Sequence, residues 1–204
     1  MNAMNPAMPT KNYEALIFDC DGTLTDSMPV HFVAWHRTMS HYGIIFPEDR
    51  FYSLGGMPTD KIIRMLASEQ SVEVDVPAAS IAKEDAFLEL LHLLEPIQRV
   101  VDVARHFHKQ LPMVVASGGF RDVIKQQISQ IGCDGLFDAL VTAEDTTLHK
   151  PYPDVFLEAA RRVGANPARC LVYEDSDLGL QAARAAGMDF IDVRKFHTPK
   201  RIAV

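Results

Sequence analysis

The feature that most constrains the fold of this chain is an alternation between short apolar runs and segments of helical periodicity. Each run is four to six residues long and rich in Val, Ile, Leu, Ala and Phe. Nearly continuous runs of that length are typical of parallel strands that helices cover on both faces. The sequence therefore predicts an α/β fold with a Rossmann-like parallel sheet. The five predicted strands are EALIF (14–18), LPMVVA (111–116), ALVT (139–142), CLVY (170–173) and DFIDV (189–193).

A helical insertion interrupts this alternation after the first strand. Residues 28–94 show helical patterns and no convincing strand. Because the insertion follows directly on the first strand and its turn, it would stand above the C-terminal edge of the sheet as a cap. We therefore predict an α/β core over residues 11–27 and 95–204, a small helical cap domain over 28–94 and a loose N-terminal extension over 1–10.

Composition and charge disfavour several classes of protein. The 204 residues with 48% hydrophobic content can bury a substantial core, so extensive disorder is not expected. The chain has no apolar run near the roughly 20 residues that cross a bilayer, and its first residues lack the apolar segment of a secretion signal. We therefore expect a cytoplasmic protein without membrane contact. The net charge of −7 disfavours a nucleic-acid partner, and the basic stretch from Arg194 to Arg201 is expected to be a solvated terminus. The scattered Cys20, Cys133 and Cys170 predict reduced thiols.

Polar residues follow the predicted strands, at the edge where open α/β sheets bind their ligands. They comprise four carboxylates, one lysine, two hydroxyls and glycines that leave backbone N–H groups accessible. Since parallel strands end at the same edge, these residues would converge on one rim. They are Asp19, Asp21, Gly22 and Thr23 after the first strand, Ser117 and Gly118 after the second, Lys150 in the loop after the third, and Glu174 and Asp175 after the fourth.

The four carboxylates indicate a bound cation. Two like charges about 5 Å apart repel by roughly 3 kcal/mol even when the surroundings screen them well. An all-oxygen set of ligands, without Cys or His, favours Mg²⁺ over zinc. Mg²⁺ beside a lysine, a hydroxyl and glycine N–H groups is an arrangement suited to a phosphate. Because the chain has no Walker-type loop, the remaining chemistry is a carboxylate nucleophile that attacks phosphorus, with a second carboxylate as acid and base.

Four short motifs hold these residues. They are DCDGT (19–23), ASGG (116–119), KPYPD (150–154) and YEDSDLG (173–179). In type and order they resemble the signature motifs of the haloacid dehalogenase-like superfamily of phosphotransferases. The insertion resembles the cap of its β-phosphoglucomutase-like branch, and within that branch the chain is most similar to small bacterial fructose-1-phosphate and related sugar-phosphate phosphatases. The resemblance covers nearly the whole chain.

The resemblance also implies a role for each rim residue. Asp19 would be the nucleophile and a metal ligand, and Asp21 the acid and base, with its backbone carbonyl on the metal. Glu174 and Asp175 would complete the Mg²⁺ site, directly or through water. The groups that would hold the phosphoryl group are Ser117, Lys150 and the backbone N–H groups of Gly22, Thr23 and Gly118.

The cap loop SLGGMPTDK (53–61) departs from the mutase branch. That branch carries a Lys and an Arg in this loop, and the Arg grips the distal phosphate of a bisphosphorylated intermediate. Here Gly55 and Thr59 stand in those places. We therefore expect hydrolysis of small sugar phosphates resembling fructose 1-phosphate, with a β-phosphoglucomutase-type mutase as the alternative. The candidate residues of the cap's substrate pocket are His31, Trp35, Gly55, Gly56 and Thr59.

Structural roles are the alternative for the same residues. Asp19 and Asp21 could be turn residues, Glu174 and Asp175 could cap a helix, and His31 could simply pack. Four motifs in register favour the functional interpretation of the carboxylates. A non-enzymatic sensor of a phosphorylated ligand is a further alternative, and the intact Asp19 and Asp21 argue against it. Nothing in the sequence requires more than a monomer.

Overall fold

Five short strands form one parallel sheet in this computed structural model, which describes residues 5–55 and 57–204. Each strand falls on one of the predicted apolar runs. The strands are β1 (Ala15–Phe18), β2 (Met113–Ala116), β3 (Ala139–Val141), β4 (Cys170–Glu174) and β5 (Asp189–Asp192). Their order across the sheet is β3-β2-β1-β4-β5, so β1 lies at the centre.

The central strand is buried on both faces. Ile17 pairs with Val114 on one side and with Val172 on the other. Successive strand residues point to opposite faces, and accordingly Leu16 and Phe18 join the apolar cluster on one face while Ile17 joins the cluster on the other. This double burial explains why the strand is apolar throughout. The α/β prediction is confirmed.

The described residues form eight α-helices. Five of them follow β1, namely α1 (Met28–His41), α2 (Glu48–Ser53), α3 (Thr59–Gln70), α4 (Val76–Glu89) and α5 (Gln98–Phe107). The others are α6 (Arg121–Gln130), α7 (Asp154–Val163) and α8 (Asp177–Ala185), one after each of β2, β3 and β4. Helices α5 and α6 cover one face of the sheet, and α7 and α8 cover the other. Within the described ranges, no helix has the length and apolar character to cross a bilayer.

Helices α1 to α4 occupy the segment that we interpret as the cap. They enclose an apolar cluster of their own, which includes Trp35, Phe51 and Leu66. The inner sides of α1 and α4 also contribute Val30 and Phe87 to the cluster on the sheet. The cap therefore has its own small core and rests directly on the sheet domain.

Two linkers connect the cap to the core, over residues 24–27 and 95–97. They run side by side: Asp26 N–H donates to the Glu95 carbonyl at 2.8 Å, and Ile97 N–H donates to the Leu24 carbonyl at 2.9 Å. The chain thus leaves the core and returns to it at one place.

The N-terminal segment is more ordered than the predicted loose extension. Ala7 is fully buried, and its carbonyl accepts a hydrogen bond of 2.8 Å from the hydroxyl of Tyr173. The side-chain amide of Asn5 donates to the carbonyl of Arg99 at 2.8 Å. A buried tyrosine hydroxyl needs a partner, and the N-terminal backbone supplies it. Residues 1–4 lie outside the described part of the chain.

The C-terminal tail (196–204) also differs from the solvated terminus that we expected. It reaches the linkers, where Lys200 N–H donates to Asp26 Oδ2 at 3.1 Å. It then reaches α2, where the guanidinium of Arg201 lies 3.0 Å from Asp49 Oδ1. The tail is held because acidic groups of the linker and the cap face its basic residues.

Candidate active site

The carboxyl ends of the strands bring the predicted polar residues to one edge of the sheet. Asp19 follows β1, Ser117 follows β2 and Glu174 is the last residue of β4. All three are nearly inaccessible, with 5%, 2% and 1% of their surface exposed. Burying such groups is costly unless each finds a partner, so their contacts show how the site is built.

Lys150 connects two of these carboxylates. Its Nζ donates to Asp19 Oδ1 and to Glu174 Oε2, each at 2.6 Å. Burial alone would lower the pKa of Lys150, but the two neighbouring carboxylates raise it. The lysine therefore stays a cation at the centre of the rim.

Asp19, Glu174 and Asp175 form an acidic cluster in which one carboxylate oxygen of each lies within 4.8 Å of the others. Burial, and then repulsion from Glu174, raises the pKa of Asp19 to about 7. The same two causes raise the pKa of Asp175 well above its usual range. A divalent cation would relieve this repulsion, and an all-oxygen set suits a hard ion. The residues present therefore fit the metal that the sequence predicts.

The loop after β4 is held in a tight conformation. Oε1 of Glu174 accepts hydrogen bonds from the N–H groups of Asp175 and Ser176, at 3.1 and 2.9 Å. On its other side the loop meets Gly22, which has a φ of +76°, and a Cβ there would lie 2.1 Å from Asp175 Oδ2. Only glycine can stand at this position, because it permits both the backbone conformation and the close approach.

Asp21 has a separate environment. Its Oδ1 accepts hydrogen bonds from Ser27 Oγ at 2.7 Å, from His31 Nε2 at 3.0 Å and from Gln127 Nε2 at 2.9 Å. Burial alone would raise its pKa, but the interaction with His31 and the hydrogen bonds from Ser27 and Gln127 hold the pKa of Asp21 well below its usual range. The side chain of Asp21 is therefore held by groups outside the acidic cluster.

The cap reaches Asp21 through His31. Lys83, on α4, places its Nζ 3.0 Å from His31 Nδ1, and the His31 ring stacks on Phe87 with centroids 3.8 Å apart. Because lysine can only donate, Nδ1 is the acceptor and Nε2 carries the hydrogen that is donated to Asp21. The structure thus joins Lys83, His31 and Asp21 in one chain of hydrogen bonds.

Sequence reasoning missed Ser27, Lys83 and Gln127. Lys83 lies four residues from Ala79 and from Phe87, both of which are buried residues of α4. Gln127 lies between Ile124 and Ile128 on the buried side of α6. A polar residue at an apolar position of an amphipathic helix was the available signal for these two.

The predicted phosphate-binding groups differ in whether their hydrogen-bonding atoms are already used within the protein. The N–H groups of Gly22 and Thr23 donate within the turn to the carbonyls of Thr25 and Cys20, at 2.8 and 3.2 Å. The Thr23 hydroxyl is buried and has no hydrogen-bond partner among the described residues. The space beside Gly118 is open, because a Cβ atom added at this glycine would have no neighbouring atom within 4 Å. Thr23 can thus contribute its hydroxyl, and Gly118 leaves room for a ligand.

The predicted pocket residues of the cap lie in different surroundings. Trp35 packs inside the cap, edge to face on Phe46 with centroids 5.5 Å apart, and Lys83 Nζ lies 5.8 Å from the centroid of its ring. Gly55 and Thr59 are half-buried, between the end of α2 and the start of α3. Gly56 lies outside the described residues. Of the predicted set, His31 is the residue that the structure brings into contact with the rim.

Comparisons with known proteins agree with this architecture. Residues 16–193 match the family model described as haloacid dehalogenase-like hydrolase. The fructose-1-phosphate phosphatase YqaB of Escherichia coli is 39% identical over 185 residues, which cover 90% of this chain and 98% of that protein. A phosphorylated carbohydrates phosphatase of Thermotoga maritima is 26% identical over 182 residues, covering 87% and 83% of the two chains.

Solved structures resemble the fold as a whole. The crystal structure of a β-phosphoglucomutase from Clostridium difficile superposes with a TM-score of 0.75 at 22% identity. The superposition covers 88% of this chain and 84% of that one. At this level of identity the likeness concerns the arrangement of sheet, helices and inserted cap.

Proposed function

The chain belongs to the haloacid dehalogenase-like hydrolases, and from this premise we propose that it is a Mg²⁺-dependent phosphatase that hydrolyses small sugar phosphates such as fructose 1-phosphate. The observation that carries the proposal is the buried Asp19, held by Lys150 beside a cluster of carboxylates that suits a cation. The named phosphatase relatives support the substrate class.

In the proposed reaction the carboxylate of Asp19 attacks phosphorus, and the bond from phosphorus to the sugar oxygen breaks. Asp21, which its three donors hold ionised in the absence of substrate, takes up a proton on Oδ2 when the substrate binds and gives this proton to that oxygen as the sugar leaves. Water then attacks the phosphoryl group on Asp19, and Asp21 takes up the proton that the water loses. Phosphate leaves and Asp19 is regenerated. Splitting the hydrolysis into two displacements lowers the barrier of each.

Other residues hold the charge that moves during these steps. Lys150 is in contact with Asp19, where it can bind the phosphoryl oxygens, and Ser117, which follows β2 at the same edge of the sheet, can contribute its hydroxyl. Asp19, Asp175 and the carbonyl of Asp21 would hold Mg²⁺, with Glu174 directly or through water, and the bound ion would neutralise the charge of the phosphoryl group.

We expect water, rather than a second hydroxyl group of the sugar, to be the final acceptor of the phosphoryl group. A mutase must keep a bisphosphorylated intermediate, which requires a cation for the distal phosphate. The loop that ends in Thr59 carries Gly55 and Thr59 at the places expected for cations in the mutase branch. Mutase chemistry remains the alternative because of the shared fold. We further expect the protein to act in the cytoplasm as a monomer.

The test is a hydrolysis screen with purified protein and Mg²⁺. Fructose 1-phosphate and similar sugar phosphates should release inorganic phosphate. With β-glucose 1-phosphate and a glucose 1,6-bisphosphate primer, a coupled dehydrogenase assay should detect no more than traces of glucose 6-phosphate. Production of glucose 6-phosphate faster than phosphate release would establish the mutase instead.

A further inference from the structure

The two carboxylate oxygens of Asp21 are used unequally. In the described part of the chain, every hydrogen bond to this carboxylate ends on Oδ1, and the three donors are Ser27, His31 and Gln127. Three donors saturate the lone pairs that one oxygen can offer. Oδ2 accepts no hydrogen bond from the described residues, and 24% of the side-chain surface is exposed, so this oxygen is available to a bound molecule.

Gln127 is the donor that the core itself provides. Ser27 precedes α1, and His31 lies on α1, so both belong to the linker and the cap. Gln127 lies on α6, which packs on the sheet, and it has no exposed surface. Its contact with Asp21 therefore does not depend on where the cap stands.

The orientation of the Gln127 amide is fixed at its other end. Thr25 Oγ1 donates to Gln127 Oε1 at 2.8 Å. The opposite orientation would turn Oε1 toward the carboxylate of Asp21 and leave two acceptors facing each other. The arrangement with Nε2 on Asp21 satisfies both ends of a buried amide, and an unsatisfied end would be costly.

We propose that Gln127 is a positioning residue for Asp21, which clamps Oδ1 from the core so that Oδ2 faces the leaving oxygen of the substrate. The inference rests on the proposed function, because it assumes that Asp21 is the acid that protonates the leaving group. In that step the bond from Asp19 to phosphorus forms, the bond from phosphorus to the leaving oxygen breaks, and one proton passes from Asp21 Oδ2 to that oxygen. Gln127 touches none of the reacting atoms.

The test compares two aryl phosphates that differ in how much their leaving groups need a proton. Phenolate is a poor leaving group and p-nitrophenolate a good one. The value of kcat/KM reports the steps up to departure of the leaving group, so it isolates the acid. In Gln127→Leu, kcat/KM should fall about 10- to 100-fold for phenyl phosphate and less than about threefold for p-nitrophenyl phosphate.

Two further variants complete the design. Thr25→Val leaves both Asp21 and Gln127 in place but frees the amide, so it should show the same selectivity to a smaller degree. If Gln127→Leu does not fold, Thr25→Val tests the inference in its place. Gln126→Leu is the control, because Gln126 is exposed on the same helix and, among the residues that the structure describes, its side chain bonds the carbonyl of Asp122 alone. It should behave as the unchanged protein does with both substrates.

The outcomes separate this inference from the proposed function. Equal losses on both substrates, or no loss in Gln127→Leu, would show that Gln127 is merely structural or irrelevant. Asp21→Asn is measured alongside, and if it shows no selectivity for the poor leaving group, the acid role fails and the inference fails with it. Turnover of both aryl phosphates without turnover of any sugar phosphate would refute the substrate class alone, because neither test substrate contains a sugar.

Discussion

At the scale of single residues, the main constraint on the rim is that nearly every buried charge needs a partner of opposite charge. Lys150 offsets the charge of Asp19 and Glu174 at 2.6 Å from each, yet Asp175 adds a further carboxylate to the same cluster. Removing one partner from a buried charged group typically costs about 3–5 kcal/mol. Negative charge therefore accumulates at the rim, which is the part of the fold that should respond most to pH and to cations.

Asp19→Asn should abolish turnover while the fold stays intact, because an amide cannot attack phosphorus as a carboxylate does. A variant that keeps near-native kcat would contradict the assignment of Asp19 as nucleophile. Circular dichroism of the variant serves as the control for folding.

The same substitution should change how stability depends on pH. The pKa of Asp19 is raised from 3.8 to about 7 in the folded protein, so ionising it costs the folded state free energy. The stability linked to protonated Asp19 is thus present at low pH and is lost as the pH rises toward 7. In EDTA, Tm should fall between about pH 4 and about pH 7, and the fall should be smaller in Asp19→Asn by at least about 3 °C.

At the scale of secondary-structure elements, two cap helices contribute to the surroundings of Asp21, the proposed acid and base. Helix α1 brings His31 to Asp21, and α4 brings Lys83 to His31. Both helices also pack on the sheet through Val30 and Phe87. The chain of hydrogen bonds from Lys83 to Asp21 therefore depends on the position of the cap relative to the core.

Lys83→Met should lower kcat/KM for the substrate about tenfold or more, because His31 loses the donor that fixes its Nε2 hydrogen toward Asp21. The methionine fills a similar volume, so Tm should change little. Lys61→Met, at an exposed position of α3, is the matched control. A kcat/KM for Lys83→Met equal to that of the control would remove Lys83 from the site.

The strands and the rim were predictable because their signal is local. A strand buried on both faces reads as one apolar run, and Asp19 directly follows such a run. Lys83 and Gln127 were not predictable in this way, since each is a single polar residue whose partner lies far along the chain. Gln127 contacts Asp21 across 106 positions. Their buried places on amphipathic helices were visible, but only the packing of the helices identifies what they touch.

At the scale of the whole molecule, a bound cation should stabilise the fold. The proposed Mg²⁺ site exists in the folded rim and not in the unfolded chain, so the ion should raise Tm by mass action. Exhaustive treatment with EDTA should abolish phosphate release, and added Mg²⁺ should restore it. Asp175→Asn should show a smaller rise in Tm with Mg²⁺ than the unchanged protein. Full activity after EDTA treatment would contradict the metal site.

The C-terminal tail should contribute measurably to the stability of the whole chain. It contacts Asp26 of a linker and Asp49 of the cap, although exposed ion pairs are each worth only about 0–1 kcal/mol. Deleting residues 199–204 should lower Tm by about 3–6 °C. The double variant Lys200→Ala, Arg201→Ala keeps the N–H that Asp26 accepts from, so it should lower Tm less. Its effect should disappear at high salt, whereas that of the deletion should persist.

The two linkers, which run side by side, have a consequence for how such a protein can evolve. The chain leaves the sheet domain and returns to it at neighbouring points, joined by the hydrogen bond from Asp26 N–H to the Glu95 carbonyl at 2.8 Å. A segment whose two ends meet can be exchanged as a cassette, since an insert of another size or shape can be attached without moving a strand. The rim of the sheet and the inserted helices can therefore be inherited and altered as separate pieces.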